Sequence, residues 1–360
     1  MGLARMSRRE GALPQFSITS EFAAFKSPFY ARNRGHYSDT GTNLAVKVIR
    51  NNKLRQMNKE GELDYIESMS PWAMWLRVPI LRGVANAFAT YSNWNALRPS
   101  RAIWLNSTLG AKTQRQAIKV DVYEPLNQGH CTYRRPAIIN FHGGGVTVGR
   151  GTDDATWASH LVTNMGATVF SIYAQADVLG IDSNHLAISG FSAGGGLGLA
   201  AWALLNNAEE WGYKIPLPIP KITGLALFYP SLDQTVPKAR KREGLPRQDL
   251  LLPKGLTDIF DAAYLKPVPI SERGDIRLSP SRMPDDLLER LPPVYLCLCE
   301  HDILAAEGVA FSKRLEDHSI EIYVRIIPGA RHGWDNAPTP ADTVAKAYNE
   351  ASKLIKDWLE

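Results

Sequence analysis

From Ile118 to the last residue, short apolar runs alternate with stretches whose apolar positions recur every three to four residues. An unbroken apolar run suits a strand covered on both faces, whereas the three-to-four spacing gives a helix one apolar stripe. The runs predict strands over 117–124, 136–141, 167–173, 185–190, 222–229, 293–299 and 320–327. The helical spacing predicts helices over 153–165, 193–207, 303–317 and 339–358, the last with Ala351, Leu354, Ile355, Trp358 and Leu359 on its apolar side. Strands and helices in alternation imply βα units, hence an α/β fold with a mostly parallel central sheet flanked by helices.

Two regions break this rhythm. Residues 1–113 are rich in Trp and Arg and read as an irregular, helical N-terminal cap ahead of a core spanning 114–360. Residues 231–290 are loop-like, with many prolines and basic side chains, inserted between two strands. Additions at loop ends commonly shape a binding site. The most apolar N-terminal stretch, 69–91, is interrupted by Arg77, Pro79 and Arg82. A spanning helix needs about 20 mostly apolar residues. The stretch is therefore expected to lie over the core or a pocket, and membrane contact is not expected.

Composition narrows the class. The 360 residues are 44% hydrophobic and 21% charged, enough apolar material for a sizeable core in a soluble globular protein. Net charge is +5, and the densest basic run is "KARKREGLPR" at 238–247. No aromatic platform accompanies it, so it reads as a solvated loop and no nucleic-acid partner is expected. Three cysteines, Cys131, Cys297 and Cys299, make no disulfide framework. Cys297 and Cys299 share one face of a strand and read as buried small hydrophobes rather than metal ligands. The start, "MGLARMSRRE", lacks the apolar core of a secretory signal, and Met6 stands where an N-myristoylation signal wants Ser or Thr. Arg5, Arg8 and Arg9 against Glu10 alone leave a weak transit-peptide reading, and a cytoplasmic location is expected.

Two glycine clusters carry the chemistry. "ISGFSAGGG" (188–196) follows the strand "HLAIS" and opens the helical pattern "LGLAAWALL". Gly190, Ser192 and Gly194 thus satisfy G-x-S-x-G in a strand–turn–helix context, where a strained turn projects the serine Oγ from the sheet edge. A serine hydroxyl needs a base, and the base needs an orienting partner. Asp302 sits just past the strand "PVYLCLC", and His332 lies in the loop "PGARHGWDN". Glu300 and Glu307 compete for the acid's place, but Glu300 sits one pleat too deep and Glu307 falls in the next helix, where it would brace the loop. His301 adjoins Asp302 and points the other way. The first cluster, "NFHGGGVTVG" (140–149), supplies fixed donors for an oxyanion: the N–H groups of Gly143 and Gly144, with Ala193 as third. His142 is a loop brace in this reading.

On these motifs the chain resembles the hormone-sensitive-lipase-like branch of the α/β-hydrolases, and specifically its fungal members. "HGGGVTVG" fits that family's H-G-G-G-x-x-x-G, "GFSAGG" its nucleophile motif, "DILAAEG" its D-x-L-x-x-E-G, and "RHGW" its histidine loop. The likeness covers roughly 115–360. It implies hydrolysis of carboxylic esters with small or medium acyl groups, a small-molecule ester as partner, and no cofactor or metal. An amidase or deformylase would use the same residues. A non-catalytic ligand-binding homologue also stays open, although the gibberellin receptors that resemble this family lack the histidine that His332 provides.

Three departures stand out. Phe191 replaces an acidic residue and is expected to change the pocket floor. Gly196 replaces an asparagine. After Tyr173 the family's R-L-A-P-E loop and crossover helix are missing, and "AQADVLGIDSN" leads at once to the next strand. Eleven extended residues span roughly 36 Å, enough to return along a strand and pass another but not to form a helix. One sheet face is expected to lack its cover, at a cost in stability or activity.

Overall fold

The computed structural model describes residues 70–106, 117–125, 135–171, 181–212, 219–266, 268–336 and 339–360. Among the described residues eight strands make one sheet: β1 (Arg101–Asn106), β2 (Ala117–Tyr123), β3 (Arg135–Phe141), β4 (Thr168–Ser171), β5 (Ile181–Phe191), β6 (Ile222–Phe228), β7 (Val294–His301) and β8 (Ile322–Arg331). Their order is β1-β2-β4-β3-β5-β6-β7-β8. The β1–β2 and β2–β4 pairs are antiparallel, and every pair from β4 to β8 is parallel.

All seven expected strands occur. The eighth, β1, falls inside the stretch read as irregular and helical, so the sheet begins ahead of residue 114. It was hidden because an edge strand needs no long apolar run, and its Trp104 is indeed exposed. The principal helices are α1 (Pro71–Ser92), α2 (Ala155–Met165), α3 (Ala193–Asn206), α4 (Lys254–Tyr264), α5 (Ala305–Asp317) and α6 (Ala341–Leu359). Helices α3 and α5 bury Leu199, Trp202, Val309, Phe311 and Leu315 on one face of the sheet. Helices α2 and α6 bury Trp157, Leu161, Tyr348, Ala351 and Ile355 on the other. Cys297 and Cys299 are both fully buried on that second face. Cys131 lies outside the described residues.

The insertion is more ordered than its composition suggested. It contains α4, whose inner side presents Thr257 and Asp261, both buried. The basic run is likewise not a solvated loop. Lys238 pairs with Asp261, Lys241 pairs with Glu307 and donates to the Asp233 carbonyl at 2.6 Å, and Arg242 reaches the Leu252 carbonyl. Arg247 alone of these stays fully in solvent. Burial outweighs the attraction of Lys241 and pushes the Glu307 carboxyl up.

Strands β4 and β5 flank β3, so the short connector must pass a strand, as its length allows. Residues 172–180 of that connector lie outside the described residues, and β5 starts at Ile181, ahead of the expected 185. Among the described residues, α3 packs on β3, β5 and β6, and α5 on β7 and β8. Val120, Val122 and Phe170 face the same side from β2 and β4, yet they are at most 1% exposed and join one apolar cluster with Leu199. The bare face expected from the short crossover is not found there.

A polar chain runs under the strand ends. The indole of Trp157 donates to Ser189 Oγ (3.1 Å), Ser189 donates to Asn140 Oδ1 (2.7 Å), and Asn140 Nδ2 donates to Asp154 Oδ2 (2.8 Å). It ties α2 to β3 and β5. Burial lifts the Asp154 carboxyl well above its usual range, with the Asn140 bond opposing.

Two outcomes follow from this frame. Replacing Lys241 with Ala strands the Glu307 charge beneath the insertion and should cost about 3 kcal/mol, read as a lower urea midpoint. The raised Asp154 means the folded state holds its proton more tightly than the unfolded chain, so its ionisation withdraws stability as pH rises from about 4 through the folded value. Asp154→Asn should therefore gain on the parent more at pH 8 than at pH 4 in thermal unfolding; a pH-independent difference would refute this.

Candidate active site

Parallel strands point their carboxyl ends to one edge, where α/β folds gather ligand groups. Ser192 follows β5, Asp302 follows β7, His332 follows β8, and the Gly143–Gly145 run comes two residues after β3. Ser192 is held at φ +55°, ψ −121°, a conformation costing about 1–3 kcal/mol. It sits as the residue before α3, and its carbonyl accepts the N–H groups of Gly195, Gly196 and Ser231 (3.1, 3.3 and 3.0 Å). Those bonds lock the turn and leave Oγ free to project. No side chain fits at Gly194, where an added Cβ would stand 2.0 Å from the Phe141 carbonyl oxygen. The helix can start against the end of β3 only because that position is bare.

Ser192 Oγ lies 2.7 Å from His332 Nε2, and His332 Nδ1 lies 2.6 Å from Asp302 Oδ2. Oδ1 of Asp302 accepts the Leu304 N–H at 3.0 Å. The carboxylate is 1% exposed and the imidazole 9%. The structure thus brings together the three residues that the motifs singled out, across 140 positions of chain. Glu300 is engaged elsewhere, accepting the Gly329 N–H (2.7 Å). Glu307 braces the loop ahead of the insertion through the Leu232 N–H (2.7 Å).

The glycine loop approaches the same point. A Cβ on Gly143 would meet the Phe191 carbonyl at 3.3 Å and Ser192 Cβ at 3.6 Å. Gly144 adopts φ +112°, and a Cβ there would lie 2.2 Å from the Val148 carbonyl oxygen. The loop closes by bonds from the N–H groups of Thr147 and Val148 to the Gly144 carbonyl, both 3.0 Å. The N–H groups of Gly143, Gly144 and Ala193 make none of these main-chain bonds. His142 is a brace: its Nδ1 lies 2.7 Å from the Gly143 carbonyl, and its ring fills the space beside Gly149. A cavity lined by Val146, Ala193, Leu197, Phe260, Tyr264 and Leu278 opens beside the start of α3.

Phe191 is not part of a pocket floor. It is 2% exposed on the α2/α6 side, stacked on Phe228 with ring centroids 4.5 Å apart. The residue before the serine is the last of the strand, and the pleat turns it away from the reaction edge. At Gly196 an added Cβ would lie 2.1 Å from the Ser231 carbonyl oxygen, so the loop after β6 occupies the room an asparagine would need.

Sequence reasoning missed one supporting group. The Tyr229 hydroxyl donates to Asp335 Oδ1 (2.6 Å) and that of Tyr348 to Oδ2 (2.8 Å), while the Tyr229 ring meets His332 edge-on at 4.9 Å between centroids. Burial raises Asp335, and both tyrosines are pushed up too. The aspartate three residues beyond His332 was a visible cue; nothing in the chain announced Tyr229, a hundred positions away. Among the described residues no His, Cys, Asp or Glu cluster could hold a metal ion.

Comparison with known proteins agrees with this architecture. Residues 171–336 match the family described as alpha/beta hydrolase fold. The matched residues take in Ser192, Asp302 and His332, and the match agrees with the resemblance drawn from the motifs. The ethyl acetate hydrolase of Pseudomonas putida is 26% identical over 224 residues, 55% of this chain and 65% of that protein. Mouse hormone-sensitive lipase is 26% identical over 100 residues, 27% of this chain and 13% of its own. Of solved structures, the carboxylesterase EstE1 from a metagenomic library superposes with a TM-score of 0.66 at 22% identity, covering 80% of this chain and 99% of that one. The chain spans 62–65% of the length of the first curated relatives it matches.

Gly194→Ala should push α3 off the end of β3, moving Ser192 and the Ala193 N–H together. A misplacement of about 1 Å costs about 100-fold in rate. Covalent labelling of Ser192 by a fluorophosphonate should slow by that order while the circular-dichroism spectrum keeps its helical content; an unchanged labelling rate would show that the close approach is not needed.

Proposed function

We propose that the chain is a serine hydrolase that cleaves carboxylic esters of small or medium acyl groups through an acyl-enzyme. In this reading Ser192 Oγ attacks the acyl carbon and gives its proton to His332 Nε2. Asp302 holds the ring with Nδ1–H towards its carboxylate and stabilises the imidazolium. The oxyanion is met by the N–H groups of Gly143, Gly144 and Ala193, each such donor contributing about 3–4 kcal/mol to the transition state. His332 then passes the proton to the leaving alcohol, and water repeats the sequence to free the acid. The observation that supports this best is the unbroken relay from Ser192 Oγ to His332 to Asp302 at 2.7 and 2.6 Å.

The test is turnover of p-nitrophenyl esters of graded chain length with Ser192→Ala alongside. Loss of the serine should lower kcat by about 10⁴-fold or more with little change in KM. A fluorophosphonate probe should label the parent and not the variant. Equal turnover in both proteins would remove Ser192 from the reaction.

A further inference from the structure

The His332 imidazole is touched by a residue from another strand. Tyr229 directly follows β6, and its ring meets the imidazole edge-on, with centroids 4.9 Å apart and planes at 63°. Aromatic rings attract each other in that arrangement at such separations. The tyrosine is itself held along its length. Its N–H donates to the Cys297 carbonyl of β7 at 2.6 Å, and its hydroxyl donates to Asp335 Oδ1 at 2.6 Å. Two residues on, the Ser231 N–H donates to the Ser192 carbonyl at 3.0 Å. The Tyr229 backbone sits at φ +37°, which a residue with a side chain rarely adopts. Arg247 and Ser319 take positive φ in exposed turns, whereas Tyr229 is 3% exposed. Strain of this kind persists only where surrounding contacts enforce it, and it gathers at functional sites.

Asp335 ties this contact to the loop that carries His332. It lies three residues beyond the histidine, so Tyr229 grips one loop twice, ring on imidazole and hydroxyl on carboxyl. The second oxygen of Asp335 accepts the Tyr348 hydroxyl of α6 at 2.8 Å. Burying a carboxyl costs free energy that well-packed apolar side chains would not. Burial pushes Asp335 up, and the two hydroxyl bonds oppose that rise. What the polar arrangement supplies in place of apolar packing is direction: a hydrogen bond fixes where the Tyr229 ring stands beside His332.

At rest the imidazole has two hydrogen bonds, to Ser192 Oγ and Asp302 Oδ2. In an acyl-enzyme Oγ is bonded to the acyl carbon, and the ring keeps its bond to Asp302. A ring on one hydrogen bond can swing about its side-chain torsions, within the limits set by what packs beside it. We infer that Tyr229, locked by Asp335, is a positioning residue for His332 that counts most after acylation, when it keeps Nε2 aimed at the water that frees the acid. The inference rests on the serine-hydrolase reading proposed above.

The experiment compares Tyr229→Leu, Tyr229→Phe and Tyr348→Phe with the parent, each as the full chain, on p-nitrophenyl acetate and in fluorophosphonate labelling of Ser192. Tyr229→Leu removes ring and hydroxyl together, and its kcat should fall about 100-fold, the order for a misplaced group. A slowed second half accumulates acyl-enzyme, so KM should fall with kcat and a burst of p-nitrophenol should precede slow turnover. Labelling uses the resting base and should slow by about tenfold or less. Tyr229→Phe keeps the ring and should recover about tenfold of the lost kcat. Tyr348→Phe removes the matching bond to Asp335, but its ring meets Trp157 and Phe228 instead. Its melting temperature should fall as that of Tyr229→Phe does, with a smaller loss of kcat. Unchanged kcat in Tyr229→Leu, equal losses of kcat and labelling rate, or kcat losses that track melting temperature across the variants would each overturn the inference. A parent that neither turns over the ester nor takes the label would instead overturn the serine-hydrolase reading itself.

Discussion

The carboxylate of Asp302 is the group on which the reaction edge depends. Removed from water, it has both oxygens on fixed partners, the Leu304 N–H and the His332 ring. The first partner comes from the turn into α5, the second from the end of β8. Moving either element leaves a buried carboxyl oxygen without its partner, so sheet register, helix start and imidazole orientation are set together. Ser192 completes the arrangement from the opposite side, and its uncommon backbone is held by three N–H groups converging on its own carbonyl.

Much of this was legible from local pattern. The sharp turn at Ser192 needs small residues on both sides, and Gly190 and Gly194 announce it. Asp302 and His332 are readable because both lie one step beyond apolar strand runs, where parallel topology gathers residues. The unreadable parts share a cause: they depend on contacts between distant segments. Strand β1 is stabilised by its pairing with β2 rather than by its own composition. Thr257 and Asp261 lie inward on α4 because Lys238 and Arg242 meet them there. Phe191 looked like a floor residue because it neighbours the serine in sequence, but the pleat places it among Phe228, Trp157 and Tyr348.

The insertion and the N-terminal helix act as one roof. Phe260 of α4 packs at Gly145, α1 rests on α4, and Arg82 fastens α1 to the turn that follows Gly144. The Gly143–Gly145 loop is therefore held from below by β3 and from above by two helices. Its rigidity is a product of the additions as much as of the sheet. The buried Lys241–Glu307 pair joins that roof to α5, the helix that follows Asp302.

The thiols on β7 have a practical use. Burial pushes both Cys297 and Cys299 far up, so neither supplies a nucleophilic thiolate while the sheet is closed. An alkylating reagent would gain access to them only when the middle of the molecule opens. The rate of their modification would then serve as a clock for core breathing, independent of whatever happens at the serine.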